Sequence, residues 1–414
     1  MFLCLAMLLN VASAAAEDMP FAKPEEVGVS SAKLAEMNAA IQKHIDRGEL
    51  GGVVTLVARH GKIVQLKAFG MMDIEAKKPM RTDALFPIAS MNKILTSAAA
   101  LTLYQQGRFQ LDEPASKYIP QLKNLRVAVS NQAVDASKRP LATVPAGREI
   151  TVRDLFRHTA GFLYAFNDTP IDRLYKEAGF PKWNRPLKDF VDRLAEFPLA
   201  YQPGTRWEYS YGIDVLGYLV QVTSGRPLSE ALKERIFTPL RMSDTDHYVP
   251  ADKLDRFGND YAFVDGKLKL VDVAAQSNYR SLPKGISGGG GWETGYGGVL
   301  TTASDFARFL QMILNRGQLD GVRILRPETV DLMVTNQIRD LHEKPLAGYG
   351  LGVGVEPDKD DPQKTRIIYW AGGPYCTSFW ADLKCDMLGV CLMQNERSES
   401  FIGEFRALSQ ACVP

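Results

Sequence analysis

The chain has 414 residues, with 49 Lys and Arg against 48 Asp and Glu, and this near balance is spread along it without a basic stripe or an acidic tail. That argues against a nucleic-acid or anionic-membrane binder held by bulk charge, and leaves the sign of any small substrate open. The length supports a large core, organised as two lobes or one composite domain.

Taken in chain order, Phe2 to Val11 is apolar, followed by Ala12-Ser13-Ala14-Ala15-Ala16 and the acidic pair Glu17-Asp18. The run is too short to span a bilayer, so residues 1–16 read as a cleaved export signal, although the usual basic start is missing. The expected location is therefore periplasmic or secreted, with no stable membrane span. A helix is expected over Ser31–Ile45, then strands over Gly52–Arg59 and Lys62–Phe69, separated by His60-Gly61 as a hairpin. An apolar helix follows from Ile94 to Gly107. Short amphipathic helices are expected near Val152–His158, Leu187–Glu196, Ile213–Val222 and Leu228–Phe237, joined by proline-rich connectors. The glycine-rich stretch Gly285–Gly298 leads to a capped helix over Thr302–Leu314. Strands return at Gly350–Val355, Ile367–Gly372, Ser378–Asp382 and Leu388–Gln394, before a closing helix over Glu399–Ala411.

Strands at both ends with helices between them predict an α+β protein. One antiparallel sheet would be built from both terminal segments and flanked by helices, with a helical lobe inserted. The expected division is 17–108 with 295–414 as the composite domain, and 109–294 as the mainly helical lobe. The active cleft should lie where lobe meets sheet.

Four cysteines follow the leader (Cys376, Cys385, Cys391, Cys412), which allows two disulfides in three pairings or four small buried hydrophobes. No C-x-x-C occurs and the five histidines are scattered singly, so the sequence implies no metal and no cofactor.

The segment richest in chemistry is Ser90-Met91-Asn92-Lys93, at the mouth of the apolar helix. One turn takes roughly 3.6 residues, so Ser90 and Lys93 share a face and their heads can meet. A lysine amine can take a serine proton once burial lowers its pKa. The Ser90 backbone N–H, at a helix start, can help bind an oxyanion. The pattern S-x-x-K is cheap and occurs three times. Ser30 to Lys33 reads as a surface cap, and Ser281 to Lys284 contains Pro283. Only the Ser90 copy has an apolar approach and a buried-type helix after it. A second proton-handling group is available in Trp207-Glu208-Tyr209-Ser210-Tyr211, where the Tyr209 phenol beside an ammonium could act as a base.

These residues carry a resemblance. Leu85 through Lys93 resembles the nucleophile segment of the serine β-lactamase and penicillin-binding-protein superfamily, and is closest to class C β-lactamases and family VIII carboxylesterases. Ile150 to Gly161 (I-T-V-R-D-L-F-R-H-T-A-G) resembles that group's helical-lobe signature. Trp207 to Gly217 resembles the esterase branch, and Phe237–Met242 and Thr301–Phe309 match as well. The resemblance runs colinearly over about 25–398 and implies the β-lactamase/transpeptidase-like fold. It also implies Ser90 as acylated nucleophile, with Lys93 and Tyr209 as its proton partners. Trp370-Ala371-Gly372 matches the third element on the cleft-edge strand, with the N–H of Gly373 joining that of Ser90 in an oxyanion hole. Tyr211, Trp370 and Gly372 would then touch substrate.

Two departures matter. Tyr211 stands where the lactamases carry asparagine, and Trp370 stands where they carry lysine. Losing that lysine removes a cation suited to a lactam carboxylate and supplies an apolar wall instead. The expectation is a serine hydrolase of small acyl esters with no obligate protein partner. The alternatives are a β-lactamase or D-alanyl-D-alanine carboxypeptidase, and a catalytically silent penicillin- or peptidoglycan-binding module. Gly285-Ile286-Ser287-Gly288-Gly289 formally matches a nucleophile elbow but lacks the strand and helix that motif needs. His158 and Asp214 could be imagined as triad partners of the serine, but His158 falls in the lobe signature.

Overall fold

The computed structural model describes residues 19–130, 141–181, 186–271, 298–339, 341, 347–396 and 399–413. The proposed leader, the Ser281–Lys284 copy and Ser287 all fall outside them. Among the described residues no helix is long and apolar enough to cross a membrane.

Strands β1 (Gly52–Arg59), β2 (Lys62–Asp73) and β3 (Lys78–Pro79) come from the N-terminal segment. Strands β4 (Gly354–Pro357), β5 (Thr365–Gly372), β6 (Thr377–Asp382) and β7 (Met387–Met393) come from the C-terminal one. They form one sheet in the order β4-β5-β6-β7-β1-β2-β3. The seam is the antiparallel pairing of β1 with β7, with Val53 opposite Met393 and Arg59 opposite Met387. Strand β1 is buried along nearly its whole length because both sheet faces are covered. Side chains alternate across a strand, so Val54, Leu56 and Ala58 enter one core while Val53 and Val57 enter another.

The second core lies under helix α1 (Ser31–Asp46) and the closing helix α10 (Glu399–Gln410). Ser30 accepts the Lys33 N–H at 3.3 Å, and the Lys33 ammonium meets Glu36 at 2.7 Å, so this S-x-x-K is a surface cap. The first core holds α2 (Lys93–Gln105) and α8 (Ala303–Leu314), the latter capped by Thr302.

The inserted lobe contains α3 (Val152–Phe156), α4 (Pro170–Glu177), α5 (Leu187–Leu194), α6 (Gly212–Ser224) and α7 (Leu228–Leu232). Thr151 and Asp154 close α3 with a reciprocal capping box. Helix α2 packs against α6 and so belongs to both lobes. The lobe also carries two small hairpins, Arg126–Ala128 with Thr143–Pro145 and Tyr261–Val264 with Lys267–Leu270. Asn395–Glu396 pairs in parallel with the second of these.

Three expectations shift. The strand placed at Gly350–Val355 begins only at Gly354, because the preceding residues turn to pack. Gly350 N–H donates to Val353 and Leu351 N–H to Met333, while a side chain at Gly352 would strike Ser97 at 1.9 Å. Helices α4 and α9 (Pro327–Val334) were not among the expected elements. Finally, among the described residues no disulfide joins Cys376, Cys385, Cys391 and Cys412, so the disulfide alternative gives way to buried or half-buried cysteines.

Candidate active site

The approach to Ser90 is clamped from three sides. Phe86–Pro87 pairs with Leu300–Thr301, the Ile88 N–H donates to Val299 at 3.0 Å, and Ile88 carbonyl accepts the Thr377 hydroxyl at 3.4 Å. Ala89 is then forced to φ +40°, a conformation rarely tolerated outside glycine. Such strain survives only where surrounding structure over-determines it. Residues 89–92 form a 3₁₀ turn before α2 begins at Lys93. The expected common face arises in this tighter turn, where residues three apart eclipse each other. Lys93 Nζ lies 3.0 Å from Ser90 Oγ.

Lys93 is 1% exposed. Burial drives its pKa down to about 7, against a smaller upward pull from the Asp214 carboxylate. An amine near neutrality at working pH can take a proton from the serine and return it. Its head lies 4.9 Å from the centre of the Tyr209 ring and 5.3 Å from that of Tyr164.

The Tyr209 loop is held by His158, itself at φ +57°. The Glu208 N–H donates to the His158 carbonyl at 3.0 Å, and the Ser210 N–H donates to His158 Nδ1 at 3.2 Å. Burial, and then the nearby Lys93, push the His158 pKa well below the usual imidazole value. The neutral ring accepts at Nδ1 and therefore carries its proton on Nε2. Its centroid is 4.8 Å from that of Tyr209. His158 thus supports the loop from behind, committed to Ser210 rather than to a serine triad.

The third element arrives at the end of β5. Trp370 stacks on Tyr209, with centroids 5.7 Å apart and planes at 23°. Gly372 and Gly373 adopt φ +112° and +78°, and a side chain at Gly373 would sit 3.9 Å from the Ala89 Cβ. The backbone of Gly373 therefore runs beside the nucleophile turn, in reach of a shared oxyanion site. Lys364, the lysine nearest Trp370 in the sequence, pairs with Asp361 at 3.0 Å in the exposed turn before β5.

The structure brings Ser90, Lys93, Tyr209, Trp370 and the Gly372-Gly373 backbone together. Tyr211 departs from expectation. It is 2% exposed and packs against Phe180 and Phe190, so it braces the lobe instead of offering a substrate wall. Sequence reasoning missed Tyr164, whose hydroxyl donates to Asp214 at 3.1 Å and whose ring lies 5.1 Å from that of Tyr209. One signal was available: Asp214 is an acid within the apolar start of α6, between Ile213 and Val215, and such a buried acid needs a partner.

A family model described as Beta-lactamase matches residues 37–412. The chain belongs to this family. "Protein Rv1367c" of Mycobacterium tuberculosis is 35% identical over 375 residues, covering 86% of this chain and 89% of that protein. "Esterase EstB" of Burkholderia gladioli is 30% identical over 402 residues, covering 92% and 95%. The solved structure of "EstCE1, a hydrolase with promiscuous acyltransferase activity" superposes with a TM-score of 0.72 at 25% identity, covering 91% of this chain and 98% of that one. The seven-stranded sheet and its inserted lobe are the β-lactamase/transpeptidase architecture.

Proposed function

We propose that this protein is a serine hydrolase that cleaves uncharged acyl esters through an acyl-enzyme on Ser90. The observation that carries the reading is the buried Lys93 amine, 3.0 Å from Ser90 Oγ and against the face of Tyr209. Neutral Lys93, with Tyr209, accepts the hydroxyl proton as Oγ bonds to the ester carbonyl carbon. The oxyanion is held by the backbone N–H groups of Ser90 and Gly373. Collapse breaks the bond to the alcohol oxygen, which leaves with the proton returned by the Lys93–Tyr209 pair. Water then repeats the sequence on the acyl-enzyme and releases the acid.

Trp370 favours esters over lactams. A lactam carboxylate would lie against an indole where the lactamases supply an ammonium, and burying an unpaired carboxylate is costly. The esterase and hydrolase names of the two relatives support the same choice.

The test is Ser90→Ala assayed on p-nitrophenyl acetate, with fluorophosphonate labelling mapped by mass spectrometry. Turnover should fall by ~10⁶ and the label should move off the 89–93 peptide. Unchanged turnover would sink the assignment. Nitrocefin hydrolysis faster than ester hydrolysis would reverse the ester-over-lactam choice.

A further inference from the structure

Four aromatic rings form a continuous ladder past the Lys93 amine. Trp370 stacks on Tyr209, Tyr209 adjoins Tyr164 with centroids 5.1 Å apart, and Tyr164 stacks on Phe166 at 5.1 Å with planes only 16° apart. The inner rungs are covered or partly covered, but Phe166 is 75% exposed. A single exposed phenylalanine is unremarkable by itself. What distinguishes Phe166 is how it is held. Ala165, between the two stacked rings, sits at φ +61°, a left-handed conformation that alanine rarely adopts. That turn presents residues 164 and 166 to each other and leaves the outer face of Phe166 in solvent. Strain of this kind beside a reactive centre is a reason to look for a use.

The direction of the ladder decides which part of a substrate meets it. The proton taken from Ser90 has to be returned to the leaving oxygen, so the alcohol must depart on the side of Lys93 and Tyr209. The ladder starts on that side and continues outward through Tyr164.

We propose that Phe166 is the outer wall of an alcohol-binding subsite, selecting esters whose leaving alcohol carries an aromatic or extended apolar group. The ring offers a flat apolar face to such a group, while Tyr164 behind it keeps that face aligned with the catalytic amine. The acyl portion, attached to Ser90 and directed away from Lys93, should not sense it. This inference rests on the hydrolase reading above.

Acetate esters test it, because they share one acetyl-enzyme and differ only in alcohol. In Phe166→Ala, kcat/KM for 2-naphthyl acetate should fall about tenfold, the range expected for losing one aromatic contact. The value for ethyl acetate should change less than about twofold, since the smaller alcohol does not reach that ring. Phe21→Ala is the control: this ring is 65% exposed, and its backbone lies against Ile63 of β2. A parallel measurement needs no catalysis: 2-naphthol binding, followed by its fluorescence, should weaken about tenfold in Phe166→Ala and not in Phe21→Ala. An equal loss on both acetates, an unchanged naphthol affinity, or selectivity shifting along a p-nitrophenyl acyl-chain series instead would overturn the proposal. Turnover surviving Ser90→Ala would refute the hydrolase reading separately, with the naphthol measurement still deciding the subsite.

Discussion

Lys93 holds a conflict between stability and chemistry. Its amine is charged in the unfolded chain at neutral pH, whereas in the fold burial brings its pKa to about 7. Folding therefore releases a proton between about pH 7 and the ordinary lysine value near 10.4, and across that window stability rises with pH. Below about 7 the buried ammonium is a constant penalty. Activity should follow the same group: kcat/KM should climb with pH, reach half its plateau near 7, and drop about tenfold per unit well below that. A pH profile flat from 5 to 9 would count against Lys93 as the base. Lys93→Met should abolish ester turnover, measured on p-nitrophenyl acetate, while the chain still unfolds cooperatively in urea. The spacing of Ser90 and Lys93 could be read from the chain because it is a local, one-turn relation. The partnership of Tyr164 with Asp214 could not, because it joins a loop to a helix fifty residues away.

At the scale of elements, local grammar and tertiary demand divide the outcomes. The hairpin of β1 and β2, the caps of α1 and α8, and strands β5 to β7 announced themselves through period, caps and turn residues. The strand expected at Gly350 failed for a tertiary reason: Gly350 and Gly352, weak strand formers, are used there to let backbone approach Met333 and Ser97. Two element-level outcomes follow. Thr151→Ala removes one half of the α3 capping box and should cost about 1 kcal/mol in urea unfolding, with ester KM unchanged. Gly373→Ala has room for its methyl group but must hold φ near +78°. The strain, about 1–2 kcal/mol, should move that amide off the oxyanion, lowering kcat by ten- to a hundredfold with KM little changed. If KM rises while kcat is kept, Gly373 shapes binding and not the transition state.

At the scale of the molecule, no disulfide joins the four described cysteines, so among the described residues the main chain is the covalent framework. Dithiothreitol should leave the thermal midpoint unchanged. A drop of several degrees on reduction would reveal a cross-link. Composition pointed to a large core but could not say whether the thiols pair, because pairing depends on where distant strands bring them. The fold forms no disulfide among these four, and Cys376 and Cys391 lie fully inside, where they act as small apolar side chains.

The seam between β1 and β7 has a consequence for biosynthesis. Strand β1 has to wait for a partner more than three hundred residues later. On the ribosome, the segment bearing Ser90 emerges long before Gly373 and the strand that carries Trp370. On the proposed mechanism, a nascent chain holds the Ser90 hydroxyl without the Gly373 amide that would steady the negative oxygen, and should stay inert until that residue has emerged. Such long-range closure also makes slow folding the expected regime.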